Sequence, residues 1–122
     1  MGVKIRFVCR DSPVEGQIVI IETSVFTRQV RKRLTNEEYR HLQNALLKRP
    51  NLGTVIRGSG GLRKMPWSMQ GRGKRGGVRV IYYWAVQQNQ LLMLLIYPKN
   101  VQDNLTPDQL KMLRKIVKRK YP

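Results

Sequence analysis

The chain has 122 residues, 24 Lys and Arg against 7 Asp and Glu, and a formal net charge of +17. That length suits one domain with a modest core, and a hydrophobic fraction of 41% argues against global disorder. One cysteine, Cys9, excludes an intramolecular disulfide and a Cys-based zinc site, and one histidine, His41, leaves no His cluster for a metal.

Residues 1–16 read as an N-terminal extension, with Val3–Val8 compatible with a strand and Asp11-Ser12-Pro13 and Gly16 as a break. Residues 17–122 read as one domain. It opens with a strand over 17–22, QIVIIE, rich in Ile and Val. Phe26, Val30 and Leu34 recur at i, i+4, i+8, which predicts a helix over Thr23–Leu34 with one apolar stripe. Thr35 and Glu38 have capping-box spacing, so a second helix starts there; Tyr39, Leu42 and Leu46 face its core and Pro50 ends it. Residues 50–61 are glycine-punctuated and read as a loop.

Three strands follow. Leu62–Trp67 sends Met65 and Trp67 one way and Lys64 and Pro66 the other. Val78–Val86 places Val78, Val80, Tyr82, Trp84 and Val86 on one face and Arg79, Ile81, Tyr83 and Ala85 on its reverse. After a polar turn containing Asn89, Leu91–Tyr97 is continuously apolar and reads as a central strand. Thr106, Pro107, Asp108 and Gln109 start a last helix, whose apolar face is Leu110, Leu113 and Ile116/Val117. This order predicts an α+β fold. Short turns between the three strands demand antiparallel pairing. The longest apolar run, Leu91–Ile96, is too short to cross a bilayer, and no signal-peptide pattern is visible, so a cytoplasmic protein is expected.

The basic residues concentrate in residues 57–83: Arg57, Arg63, Lys64, Arg72, Lys74, Arg75 and Arg79. No Asp or Glu occurs between Glu38 and Asp103. A stretch of cations and aromatics without carboxylates is suited to a polyanion, and its binding should weaken steeply with salt. Residues 71–76, GRGKRG, match Gly-x-Gly-x-x-Gly, but a strand follows where the dinucleotide fingerprint needs a helix. The Walker pattern is absent. A serine triad or paired-carboxylate site cannot be assembled in this segment, and His41 reads as a helix-surface residue. One reaction tolerates such a site. In RNA cleavage the 2′-hydroxyl attacks the adjacent phosphate, fixed cations stabilise the developing charge, and no metal or other cofactor is required.

Leu62-Arg63-Lys64, residues 71–77 (GRGKRGG), residues 79–83 (RVIYY), Tyr97-Pro98-Lys99-Asn100 and Leu105-Thr106-Pro107 together resemble the HigB branch of the RelE/ParE toxin superfamily. The similarity runs from about Ile18 to Val117. It implies a small antiparallel sheet with two N-terminal helices and a C-terminal helix. It also implies the toxin of a type II toxin–antitoxin pair, an mRNA endonuclease acting in the ribosomal A site on the 30S subunit. A cognate antitoxin would neutralise it, and operator DNA would be reached only through that antitoxin. The resemblance implies no membrane partner. By the same resemblance Lys64, Arg79 and Lys99 are the candidate catalytic cations. Arg57, Arg63, Arg72, Lys74 and Arg75 would contact RNA, and Tyr83 would stack on a base. The sequence departs from the pattern at Pro66, where a second cation is common, and at Leu105, where RelE has a tyrosine. Two other readings remain open: a ParE-like toxin acting on DNA gyrase without nuclease activity, and a basic nucleic-acid-binding module.

Overall fold

The computed structural model describes residues 5–8, 18–68 and 77–122. Its elements run β1 (Ile5–Val8), β2 (Val19–Thr23), α1 (Ser24–Arg33), α2 (Asn36–Lys48) and β3 (Thr54–Val55), then β4 (Leu62–Trp67), β5 (Val78–Ala85), β6 (Gln90–Pro98) and α3 (Pro107–Lys120). The six strands form one sheet in the order β1-β2-β6-β5-β4-β3. This is the α+β arrangement the sequence predicts, with helices on both faces.

Two details correct the prediction. The sheet is not antiparallel throughout, because β2 pairs parallel with β6, Val19 opposite Gln90 and Glu22 opposite Met93. Two helices follow β2, so it is not tied into a hairpin and can lie parallel to the last strand. The 50–61 stretch is not wholly loop either. Thr54 and Val55 pair with Lys64 and Arg63 as a short edge strand. Two exposed residues with no apolar partner left no alternation to read.

Alternation along β5 divides the core. Val78, Val80 and Tyr82 join Phe26, Val30, Leu34, Leu42 and Leu46 beneath α1 and α2. Ile81 joins Leu62, Leu92, Leu94, Leu113 and Val117 beneath α3. Along β6 the phase is reset by a bulge. Ile81 pairs with Leu95 but Tyr82 with Met93, so Leu94 is an extra residue and both Leu94 and Leu95 face α3. The continuously apolar run in β6 follows from burial on both faces.

Helix starts are fixed by their caps. Thr35 and Thr106 each form a full capping box, with Glu38 and Gln109 respectively. Thr23 caps α1 by accepting from the Phe26 amide at 3.1 Å, and its hydroxyl donates to the Leu94 carbonyl at 3.1 Å, tying the helix start to β6. Beside it, buried Glu22 accepts from the Thr27 hydroxyl at 2.6 Å and from the Tyr39 hydroxyl, so its carboxylate is satisfied.

Tyr82 anchors the loop between α2 and β4. Its hydroxyl donates to the Pro50 carbonyl at 2.7 Å and accepts from the Gly53 amide at 2.8 Å. A Cβ at residue 53 would stand 2.9 Å from the Tyr82 ring, so the approach needs glycine. Tyr82→Phe leaves a buried amide and a partly buried carbonyl without their partner. We expect it to lower unfolding stability by about 1–3 kcal/mol in urea melts.

Burial pushes the Tyr82 and Tyr97 phenols above their ordinary value, and burial with neighbouring Tyr83 raises Tyr121 to about 12. The fold therefore holds the neutral phenols. Their contribution is complete below the unfolded value of 10.0 and is lost as pH rises through the folded values. Thermal melts should show falling stability between pH 10 and about 12, and Tyr121→Phe should reduce that fall.

Candidate active site

The open part of the α3 side of the sheet is built from β4, β5 and the end of β6. Arg79 lies opposite Pro66 on one side and Tyr97 on the other, and Lys64 lies opposite Ile81. Alternation places Lys64, Pro66, Arg79, Ile81 and Tyr97 on this one face. Lys99 follows β6 at the same end of the sheet, where its amide donates to the Gly77 carbonyl at 3.1 Å. The three cations assigned a catalytic role by resemblance therefore lie in one region.

A strap crosses this face before α3 begins. The chain turns after Pro98, whose carbonyl accepts from the Val101 and Gln102 amides at 3.1 and 3.3 Å. Asp103 and Asn104 then reach the two sheet cations. Arg79 Nε donates to Asp103 Oδ1 at 2.9 Å, and Lys64 Nζ donates to Asn104 Oδ1 at 2.6 Å. The Tyr97 hydroxyl donates to the Asp103 carbonyl at 3.1 Å. Gln102 fastens the strap to α3, donating to the Asn104 carbonyl at 2.8 Å and to Gln109 Oε1. Leu105 packs half-buried into the α3-side core.

Arg79 is 16% exposed at its side chain, and Asp103 is 59% exposed. The guanidinium is thus aimed by packing, while its carboxylate partner stays in water. Such a half-exposed pair contributes only about 0–1 kcal/mol. The phenol of Tyr97 is pushed up by burial and by the Asp103 charge, against the opposing Arg79. At neutral pH it is a proton donor. The region therefore offers two cations and a neutral phenol to an anion, with acceptor oxygens of the strap standing where anion oxygens would sit.

The other candidates are dispersed. Arg63 is not on this face. It lies opposite Tyr82 and donates to the Gly53 carbonyl at 2.7 Å, holding the same loop that Tyr82 anchors. Strand alternation decides this, since Arg63 and Lys64 are consecutive. Tyr83 shares the face of Arg79, but four residues along β5 separate them by about 13 Å. Its ring stacks on Tyr121 of the α3 C-terminus at 5.6 Å. Arg57 is exposed in the turn before β4, at that same distant end. Arg72, Lys74 and Arg75 lie outside the described residues. His41 is exposed on α2, remote from the cations in the fold.

Sequence reading passed over Tyr97, Asp103 and Asn104 as site residues. Asp103 did carry a signal, as the carboxylate that ends the acid-free stretch. Among the described residues, no group of His, Cys, Asp and Glu is arranged to hold a metal.

The chain is thus a small basic α+β protein, with a mixed sheet between helices and a cationic region at one end of β4 and β5. A family model described as the RelE toxin of the RelE / RelB toxin–antitoxin system matches residues 19–121. The chain belongs to the RelE toxin family, within the RelE/ParE superfamily, and its fold is RelE-like. It is the toxin member of a toxin–antitoxin system and has a cognate antitoxin as partner. No helix among the described residues is long and apolar enough to cross a membrane.

Removing the strap carboxylate tests the geometry. Asp103→Asn should change unfolding stability by less than about 1 kcal/mol. The same change should tighten binding of a single-stranded oligonucleotide about two- to fivefold in anisotropy titrations, because Arg79 loses its competing charge.

Proposed function

We propose that this chain is a HigB-like, ribosome-dependent mRNA endonuclease that works in the cytoplasm by cutting mRNA in the 30S A site. Residues 17–122 act as the toxin domain, and 1–16 as an extension supplying the edge strand β1. The observation that carries the reading is the pairing of Lys64 and Arg79 with oxygens of Asn104 and Asp103 on one sheet face. An incoming phosphodiester would exchange its oxygens for those of the strap.

The chemistry follows from that exchange. The RNA 2′-hydroxyl gives its proton to water as its oxygen bonds to phosphorus, the bond from phosphorus to the 5′-oxygen breaks, and the departing oxygen takes a proton, leaving a 2′,3′-cyclic phosphate. Lys64 and Arg79 stabilise the charge gathering on the phosphate, which is the largest service a fixed site can give without a nucleophile of its own. Tyr97, neutral and beside Arg79 on the neighbouring strand, would serve as a donor. Lys99 adds charge at the edge of the same face. Arg72, Lys74 and Arg75 would grip the RNA backbone, and holding the strand in line contributes further. Operator DNA is reached only through the antitoxin.

Lys64→Ala, Arg79→Ala and Lys99→Ala should each relieve growth arrest at equal expression. Far-ultraviolet circular dichroism should stay unchanged, because none of the three belongs to the buried core. Loss of one phosphate contact should reduce cleavage about 100-fold or more at Arg79, whose side chain is 16% exposed. Primer extension on induced cells reads the reaction itself. Discrete cuts within translated codons support the proposal, whereas intact mRNA with damaged DNA would assign the chain to the gyrase-directed branch.

A further inference from the structure

A second concavity lies on the α3 side of the sheet, at the Tyr83 end of β5 and away from Arg79 and Lys99. It encloses about 380 Å³ between α3 and the turn at Ser59 and Gly60. Its apolar lining is Val117, 8% exposed, with the stacked rings of Tyr83 and Tyr121. Its rim is Lys111, Arg114, Lys115 and Lys118. These four recur at i, i+3, i+4 and i+7, so they form one stripe along the helix beside the apolar stripe of Leu113 and Val117. All four are exposed, and among the described residues none has a carboxylate at ion-pair distance.

The stripe is unnecessary for the fold. Core contact is supplied by Leu113 and Val117, and late lysines suffice to suit the helix dipole. Four like charges around one cavity also repel one another, so an anionic occupant would relieve them. The chemistry of the lining narrows the choice. A phosphate backbone would meet the rim but leave Val117 and the ring edges without an apolar partner. The facing surfaces of Tyr83 and Tyr121 are already occupied by each other, so neither offers both faces to a base. An apolar side chain fills the cavity, and carboxylates on either side of it meet the rim. That is the anatomy of a protein contact, with an apolar anchor inside a charged surround.

We propose that this cavity seats an acidic peptide segment of the antitoxin, one aliphatic or aromatic side chain inserted beside Val117 and flanking Asp or Glu on Lys111, Arg114, Lys115 and Lys118. The site is separate from the cationic face at Arg79, so the antitoxin can hold the toxin through α3 without filling the region that would receive RNA. The proposal needs the antitoxin that the family carries, and it does not depend on mRNA cleavage.

The test uses fluorescence anisotropy on the full chain with three probes. One is a labelled peptide of about a dozen residues, glutamates around a central leucine, long enough to cross the cavity and its rim. The second replaces that leucine with alanine at equal charge. The third is an oligouridine of matching charge. The leucine peptide should bind at least about tenfold more tightly than the alanine peptide, the factor expected for burying a few methylene groups. The double charge reversal Lys115→Glu with Lys118→Glu should weaken the leucine peptide by about tenfold or more, through loss of two attractions and gain of two repulsions. It should alter oligouridine binding by less than about threefold, since the main RNA cations lie elsewhere. Both positions are exposed, and circular dichroism checks that the variant folds. Equal binding of the two peptides, no peptide binding, or equal losses for peptide and oligouridine would each overturn the proposal, the last by making the cavity a nucleic-acid contact. Binding is read directly, so the outcome stands apart from whether the chain cuts mRNA.

Discussion

The alternation of β5 is the constraint on which the other features depend. This strand lies between β4 and β6 and has a covered surface on each side. Its even-numbered residues from Val78 to Tyr82 seat α1 and α2, while Arg79, Ile81 and Tyr83 look toward the α3 side. One residue of slip would bury Arg79 under the helix pair and turn Tyr82 to the α3 side. The pairing of Tyr82 with Pro50 and Gly53 opposes such a slip by fixing the strand to a loop it meets far from its own position in sequence.

Helix α3 covers only part of that second side. Its apolar residues lie over Ile81, Leu62 and Leu92. Among the described residues, the remaining part, with Arg79, Lys64 and Tyr97, is spanned by the strap alone. A strap makes a weaker cover than a helix, because it contributes polar contacts in water and few apolar ones. The cations below it are thus positioned by rigid strands yet are shielded by a segment whose contacts are cheap to exchange. That combination suits a site that must wait for a polyanion and then receive it.

The same logic separates two uses of positive charge. On the sheet, Lys64 and Arg79 stand on strands and converge on a small region, as the proposed stabilisation of a developing charge requires. On α3, the cations form a long exposed stripe around an apolar cavity, an arrangement for extended contact. A net charge of +17 conceals this division.

The sequence by itself determined the elements and their faces. Capping residues set the starts of α2 and α3, periodicity set the buried stripes, and the alternation of β5 separated Arg79 from the core, because each of these is a local effect. It did not determine the parallel pairing of β2 with β6, the bulge at Leu94, or the short strand β3, which depend on partners distant in sequence. For the site, alternation already placed Lys64 and Arg79 on open faces. Only the tertiary structure decided that Asp103 and Asn104 cover them, that Arg63 serves the opposite face, and that Tyr83 packs on Tyr121 instead of standing beside Arg79. Those outcomes follow from where the chain after β6 crosses the sheet and where α3 ends, and such distances are set by packing rather than by neighbours in the chain.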